Sequence, residues 1–142
     1  MTTRTELSEI AADKDGHTEL MRAALNGDTG AVKALLAGGN DANAKDSEGR
    51  TALMFAVING HRDTAREIIE QGADVNAAGK DGGTALMLAA TSGEADIVRE
   101  LLRAGADASN KYKSSGETAL MLAQRNGHIE ITQMLKEGGA SG

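Results

Sequence analysis

The chain has 142 residues, no cysteine, no proline, one Phe, one Tyr, no Trp and a formal net charge of −6. Without cysteine there is no disulfide, thiolate metal site or Cys nucleophile. An acidic balance with no basic run beyond Lys111-Tyr112-Lys113 speaks against a nucleic-acid partner, which needs clustered Lys and Arg. No stretch approaches the roughly 18 apolar residues of a membrane span. The length suits one domain. With almost no large rings to bury, its core has to come from Leu, Ile, Val, Met and Ala in thin, closely packed layers.

In chain order, residues 1–12 come first. They carry no apolar run of secretory type, so a soluble, cytoplasmic protein is expected; a signal peptide already removed would leave the same sequence. Thr3-x-x-Glu6 has the form of a capping box, and Leu7, Ile10 and Ala11 share one helical face. A short capping helix and a frayed tail are both open readings.

From residue 13 to 140 a single domain is expected, built from repeats at about 13–44, 45–77, 78–110 and 111–140. Thr18-Glu19-Leu20-Met21 returns as Thr51-Ala52-Leu53-Met54, Thr84-Ala85-Leu86-Met87 and Thr118-Ala119-Leu120-Met121, at offsets of 33, 33 and 34 residues. Ala23, Ala56, Ala89 and Ala123 keep the frame, as do Gly27, Gly60, Gly93 and Gly127, and then Gly39, Gly72, Gly105 and Gly139. In each unit the Thr is placed to cap a helix, and the first Gly to end it in the left-handed conformation. A second helix follows, with acids early (Asp28, Asp63, Asp96, Glu130) and bases later (Lys33, Arg66, Arg99, Lys136), the polarity that suits the helix dipole. A Gly/Asp/Asn segment such as Gly72-Ala73-Asp74-Val75-Asn76-Ala77 then leads to the next unit. Helix pairs this short are marginal alone and bury their apolar faces only by stacking. The expected fold is an all-α solenoid of helix-turn-helix units with short connecting hairpins or loops.

At these residues the pattern resembles the ankyrin repeat, whose usual period is 33 with a Thr-Pro-Leu-His signature. The resemblance covers about Asp13 to Gly139. The Pro of the signature is replaced by Glu19, Ala52, Ala85 and Ala119, all good helix formers. Its His is replaced by Met21, Met54, Met87 and Met121, which predicts a buried apolar Met ladder where the family has inter-repeat His hydrogen bonds. Arg22 at one end, and Gln124, Thr132 and Lys136 at the other, stand where inner repeats are apolar. They read as caps, so the stack is expected to begin and end within this chain.

No catalytic constellation emerges, and no enzyme, cofactor or metal site is expected. His61 and His128 follow Gly60 and Gly127 at equivalent turns two repeats apart, roughly 20 Å at the usual layer spacing, too far to share a metal. His17 lies in the loop before Thr18. Asp13-Lys14-Asp15-Gly16 fails as a calcium loop because Arg22 falls where the bidentate Glu belongs. Neither a phosphate loop nor a Gly-x-Ser-x-Gly elbow is present.

The family resemblance implies another protein as partner, held by hairpin tips and the exposed, concave face of the first helices. By repeat frame the candidates are Asp15, His17, Leu25 and Asn26; then Ser47, Glu48, Arg50, Ile58 and Asn59; then Lys80, Asp81, Gly83, Thr91 and Ser92; then Ser114, Ser115, Glu117, Arg125 and Asn126. Ile58 is singled out because it is expected to project from the variable face. So is Tyr112, the only Tyr, flanked by two lysines, because aromatic and cationic residues are enriched at binding hot spots; a tucked hairpin residue is the equal alternative. The leading reading is a monomeric protein-binding adaptor. The alternative is a structural or scaffold repeat protein with no dedicated partner.

Overall fold

The computed structural model describes residues 15–138. Residues 1–12, with their two open readings of a short capping helix or a frayed tail, lie outside them. Among the described residues eight helices form four pairs: α1 (Glu19–Leu25) with α2 (Thr29–Ala37), α3 (Ala52–Ile58) with α4 (Arg62–Glu70), α5 (Ala85–Ser92) with α6 (Ala95–Arg103), and α7 (Ala119–Arg125) with α8 (Ile129–Glu137). First helices pack on first helices and second on second from one pair to the next. This is the all-α stack that the 33-residue period predicts. Among the described residues the only β pairing outside the helices is one isolated bridge, Lys111 to Thr118.

Each first helix starts at its threonine. The hydroxyls of Thr18, Thr51, Thr84 and Thr118 accept from the amides of Met21, Met54, Met87 and Met121 at 3.1, 3.5, 3.4 and 3.3 Å. An N-cap of this kind is worth about 1 kcal/mol, a large share for a helix of two turns. Met21, Met54 and Met87 are buried and Met121 half-buried, so the Met ladder is inside. In the first repeat Met21 does more than fill space: its sulfur lies 3.4 Å from the Thr18 amide and completes a capping box.

At the other end of the first helices, Gly27 and Gly93 are required twice over. Their φ angles are +70° and +80°, a region that strains a side chain. A Cβ there would also sit 2.6 Å from Nδ1 of His61 or 2.7 Å from Cε1 of His128. Those imidazoles come from the next repeat and reach back to the first-helix end: Nε2 of His61 lies 2.9 Å from the Leu25 carbonyl oxygen, and Nε2 of His128 lies 3.0 Å from that of Thr91. The two turn histidines therefore tie repeat to repeat, and the orphan carbonyls of α1 and α5 gain partners.

Leu53, Leu86, Ala56, Ala89 and Ala123 from the first helices are buried together with Val32, Ile68, Leu101 and Leu135 from the second. The alanines let neighbouring first helices approach closely. The Gly-x-Asp segments that follow the second helices work as cross-repeat clips. Asp41, Asp74 and Asp107 each close a tight turn on the amide two residues on, while the Asn43 and Asn76 side chains accept from the Asp74 and Asp107 amides at 2.7 Å.

The second helices differ from the sequence expectation in one respect. The later bases Lys33, Arg66 and Arg99 stand mid-helix and not in the last turn, and they, together with Arg62 at the start of α4, reach acids of the next repeat. Lys33 pairs with Glu67 at 3.7 Å, Arg62 with Asp96 at 2.6 Å, Arg66 with Glu100 at 3.4 Å and Arg99 with Glu130 at 3.8 Å. Each bond crosses to the following repeat.

Candidate functional site

The hairpins of the second, third and fourth repeats are closed by backbone bonds from Asp46 to Arg50 at 2.9 Å, Gly79 to Gly83 at 2.9 Å and Tyr112 to Glu117 at 3.0 Å, amide to carbonyl. The fourth hairpin thus holds one residue more between its closing positions than the others, which places the extra residue of the 34-residue offset. Adjacent tips are joined by the amides of Ser47, Lys80 and Lys113, which donate to the carbonyls of Asp15, Glu48 and Asp81 at 2.7, 2.9 and 2.9 Å. With their backbones tied into one line, the tips present side chains at fixed spacing.

Asp15, Ser47, Glu48, Lys80, Asp81, Ser114 and Ser115 are exposed along that line. The row at the ends of the first helices, Asn26, Asn59, Ser92 and Asn126, is also exposed. In the row beside it, Ile58 is 41% exposed and Leu25 half-buried. Thr91 turns its hydroxyl to the Met87 carbonyl at 2.9 Å. Arg125 reaches Glu117 in the fourth hairpin at 2.6 Å, so hairpin and first helix meet on one face.

Arg50 and His17 belong to a knot that sequence reasoning missed. Asp46 is buried; its Oδ1 accepts from the amides of Glu48 and Arg50 at 2.9 and 2.8 Å, and its Oδ2 from Nε of Arg50 at 2.9 Å. Nε2 of His17 lies 3.2 Å from the same Oδ2. The Arg50 guanidinium sits 5.1 Å from the centroid of the Phe55 ring, and the His17 ring meets that phenyl edge-on at 5.6 Å. Burial pushes the Asp46 carboxyl up, but the hydrogen bonds from Arg50 and Glu48 outweigh it and hold the group below the ordinary aspartate range. Arg50 is half-buried and geometrically fixed. The signal was present in Asp-x-x-Gly-Arg-Thr at 46–51, where the carboxylate precedes the base by one hairpin.

Tyr112 is half-buried, not a projecting ring. It lies over Gly83, where a Cβ would come within 2.8 Å of its Cε1. Burial first, then the Asp81 and Glu117 carboxylates, raise its phenol above the usual value. Gly83 itself is buried and offers a seat for that ring in place of a contact side chain.

Elsewhere, an open groove follows the turns into the second helices, lined by residues such as His61, Arg62, Glu94 and Asp96. Its walls are polar, and Arg62 and Asp96 are already paired. Among the described residues no group of three or more His, Cys, Asp or Glu is placed to hold a metal ion, and no helix is long and apolar enough to cross a membrane.

Comparison with family models settles the class. A model for ankyrin repeats, three copies in length, matches residues 5–79 and again 77–141. The chain belongs to the ankyrin-repeat family. No curated protein sequence matches it. The two matches meet at the boundary between the second and third helix pairs, and the first begins ahead of residue 13, where the repeat frame first becomes readable. Within the described residues this ankyrin stack comprises four helix pairs.

Proposed function

We propose that this ankyrin stack is a non-catalytic binding module for another protein, and that the partner is read by the hairpin tips together with the exposed side of α1, α3, α5 and α7. Proteins of this family are in general protein-interaction modules, which supports the class. The observation that carries the choice of face is the row Leu25, Ile58, Thr91, Arg125. Its backbone positions repeat while its chemistry changes from apolar to polar to charged, and Ile58 stays 41% exposed. The opposite side commits its charges to bonds between repeats.

The test is affinity capture from the source lysate, comparing the wild-type chain with an Ile58→Asp/Lys80→Glu double variant. Both positions are exposed, so circular dichroism should be unchanged and melting should fall only slightly, through the new charge at the C-terminal end of α3. A protein retained by the wild type and lost by the variant is the expected result. A protein held equally by both moves the site off this face. Capture of nothing specific favours a scaffold repeat without a dedicated partner.

A further inference from the structure

Three of the four first helices end in the dipeptide Asn-Gly: Asn26-Gly27, Asn59-Gly60 and Asn126-Gly127; the remaining one ends in Ser92-Gly93. Asn-Gly is the sequence in which the glycine amide nitrogen, unhindered by a Cβ, most easily attacks the asparagine side chain. The three sites differ little in backbone. Gly27, Gly60 and Gly127 have φ of +70°, +68° and +72°, and their amides donate to the carbonyls of Ala24, Val57 and Gln124 at 3.1, 3.0 and 3.2 Å. They differ in what stands beside the glycine, His61 at Gly27, Glu94 at Gly60 and no group within 4 Å of a Cβ built at Gly127, and in what restrains the carboxamide. Nδ2 of Asn59 donates to the Leu25 carbonyl at 2.8 Å, and Nδ2 of Asn126 to the Leu122 carbonyl at 2.7 Å. Among the described residues the exposed Asn26 side chain has no such bond.

We propose that Asn26 is a site of spontaneous deamidation in the folded protein, and that Asn59 and Asn126 are guarded against it by their side-chain bonds. The inference is independent of the partner reading. When the end of α1 opens, the Gly27 amide loses its bond to Ala24; short helix ends open most readily. The Gly27 nitrogen then bonds to Cγ of Asn26, the Cγ–Nδ2 bond breaks, and ammonia leaves with the proton the amide gave up. Water opens the resulting succinimide at either carbonyl, leaving Asp or isoAsp. At Asn59 and Asn126 the carboxamide has also to leave its carbonyl partner before Cγ can swing toward the glycine nitrogen, an added step.

The outcome is chemically selective as well. Conversion at Asn59 would remove the donor to the Leu25 carbonyl and put a carboxylate against that oxygen. Conversion at Asn26 breaks no side-chain bond and adds one negative charge beside Leu25. The charge falls at the C-terminal end of α1, where the helix dipole opposes it, so the modified form is distinguishable in charge and slightly in stability.

The experiment is incubation of the whole folded chain in mildly alkaline buffer, with peptide mapping by mass spectrometry over time and an isoaspartate assay. A net contribution of one hydrogen bond predicts conversion at Asn26 roughly two- to tenfold faster than at Asn59 or Asn126. In denaturant the three sites should converge, because the dipeptide is the same. An Asn26→Ser variant, which copies the Ser92-Gly93 end, should melt like the wild type, lose only the Asn26 product and leave the other two rates unchanged. Equal rates in the folded chain, a faster Asn59 or Asn126, or conversion confined to the denatured chain would each overturn the proposal.

Discussion

The two long sides of the stack are built from the same repeat and use their basic residues differently. On the second-helix side, Lys33, Arg62, Arg66 and Arg99 each reach an acid in the following repeat. On the first-helix side the arginines close within their own repeat, as Arg50 does on Asp46 and Arg125 on Glu117, while His17 alone of the side chains named above reaches an acid of the next repeat, Asp46; an apolar side chain stands exposed on each side, Ile58 here and Ile129 at the start of α8. Side chains that cross repeats have to match their neighbours, which limits variation. Side chains that close locally can vary from one repeat to the next without disturbing the stack. The contrast explains how one scaffold combines a conserved frame with a face of changing chemistry.

Both sides hang on one core, so the largest effect should come from its middle. Leu86 on α5 is 1% exposed, with buried layers on either side. Leu86→Ala should cost about 2–5 kcal/mol through the cavity it leaves, measured by urea unfolding, and should weaken both sides alike. A loss under about 1 kcal/mol would mean that the layers do not meet at this residue.

The first-helix side should show its local wiring next. Asp46→Ala leaves two hairpin amides and the Arg50 guanidinium without their acceptor. A cost of about 1–3 kcal/mol is expected, with Arg50 released from Phe55. The carboxyl is depressed in the folded state, so its stabilising contribution is fully present above the ordinary aspartate value of about 3.9. That contribution is lost as pH falls through the lower folded value. Asp46→Asn should therefore flatten the acid limb of the stability curve; an unchanged limb would show that other carboxylates govern it.

Gly83→Ala probes the same side by crowding. The new methyl would stand 2.8 Å from the Tyr112 ring and 3.1 Å from Oδ1 of Asp81. Overpacking of this kind costs about 1–3 kcal/mol. Tyr112 is the only Tyr in a chain without Trp, so intrinsic fluorescence reports directly whether the ring leaves its seat. Unaltered emission with unaltered stability would remove Tyr112 from the hairpin packing.

These tests fall where sequence reading stopped. The Thr caps, helix ends and Met ladder were legible because each depends on residues within a turn or two, confirmed by recurrence at 33 residues. The pairing of Arg66 with Glu100 was not, because the partners stand 34 residues apart and are neighbours only once the stack is assembled. Asp46 was overlooked for a related reason. An acid in a hairpin reads as solvated until the fold shows Arg50 turned back over Phe55. Tyr112 and its one-residue excess were visible, but Gly83 as the seat of the ring needed two adjacent hairpins in register.

The smallest expected effect is also the sharpest test of the contrast between the sides. Arg66→Ala removes one exposed cross-repeat pair, and such pairs contribute at most about 1 kcal/mol. The loss should shrink as added salt screens the wild-type pair, and partner capture should be untouched. Ile58→Asp should behave in reverse, lowering the melting midpoint only slightly, by the charge it adds at the C-terminal end of α3, and abolishing capture. If Arg66→Ala instead weakens capture while Ile58→Asp does not, the second-helix side is the one that reads the partner. Its ion pairs would then serve recognition as well as stacking, because a bond between repeats can be given up to a partner only where it contributes this little to the stack.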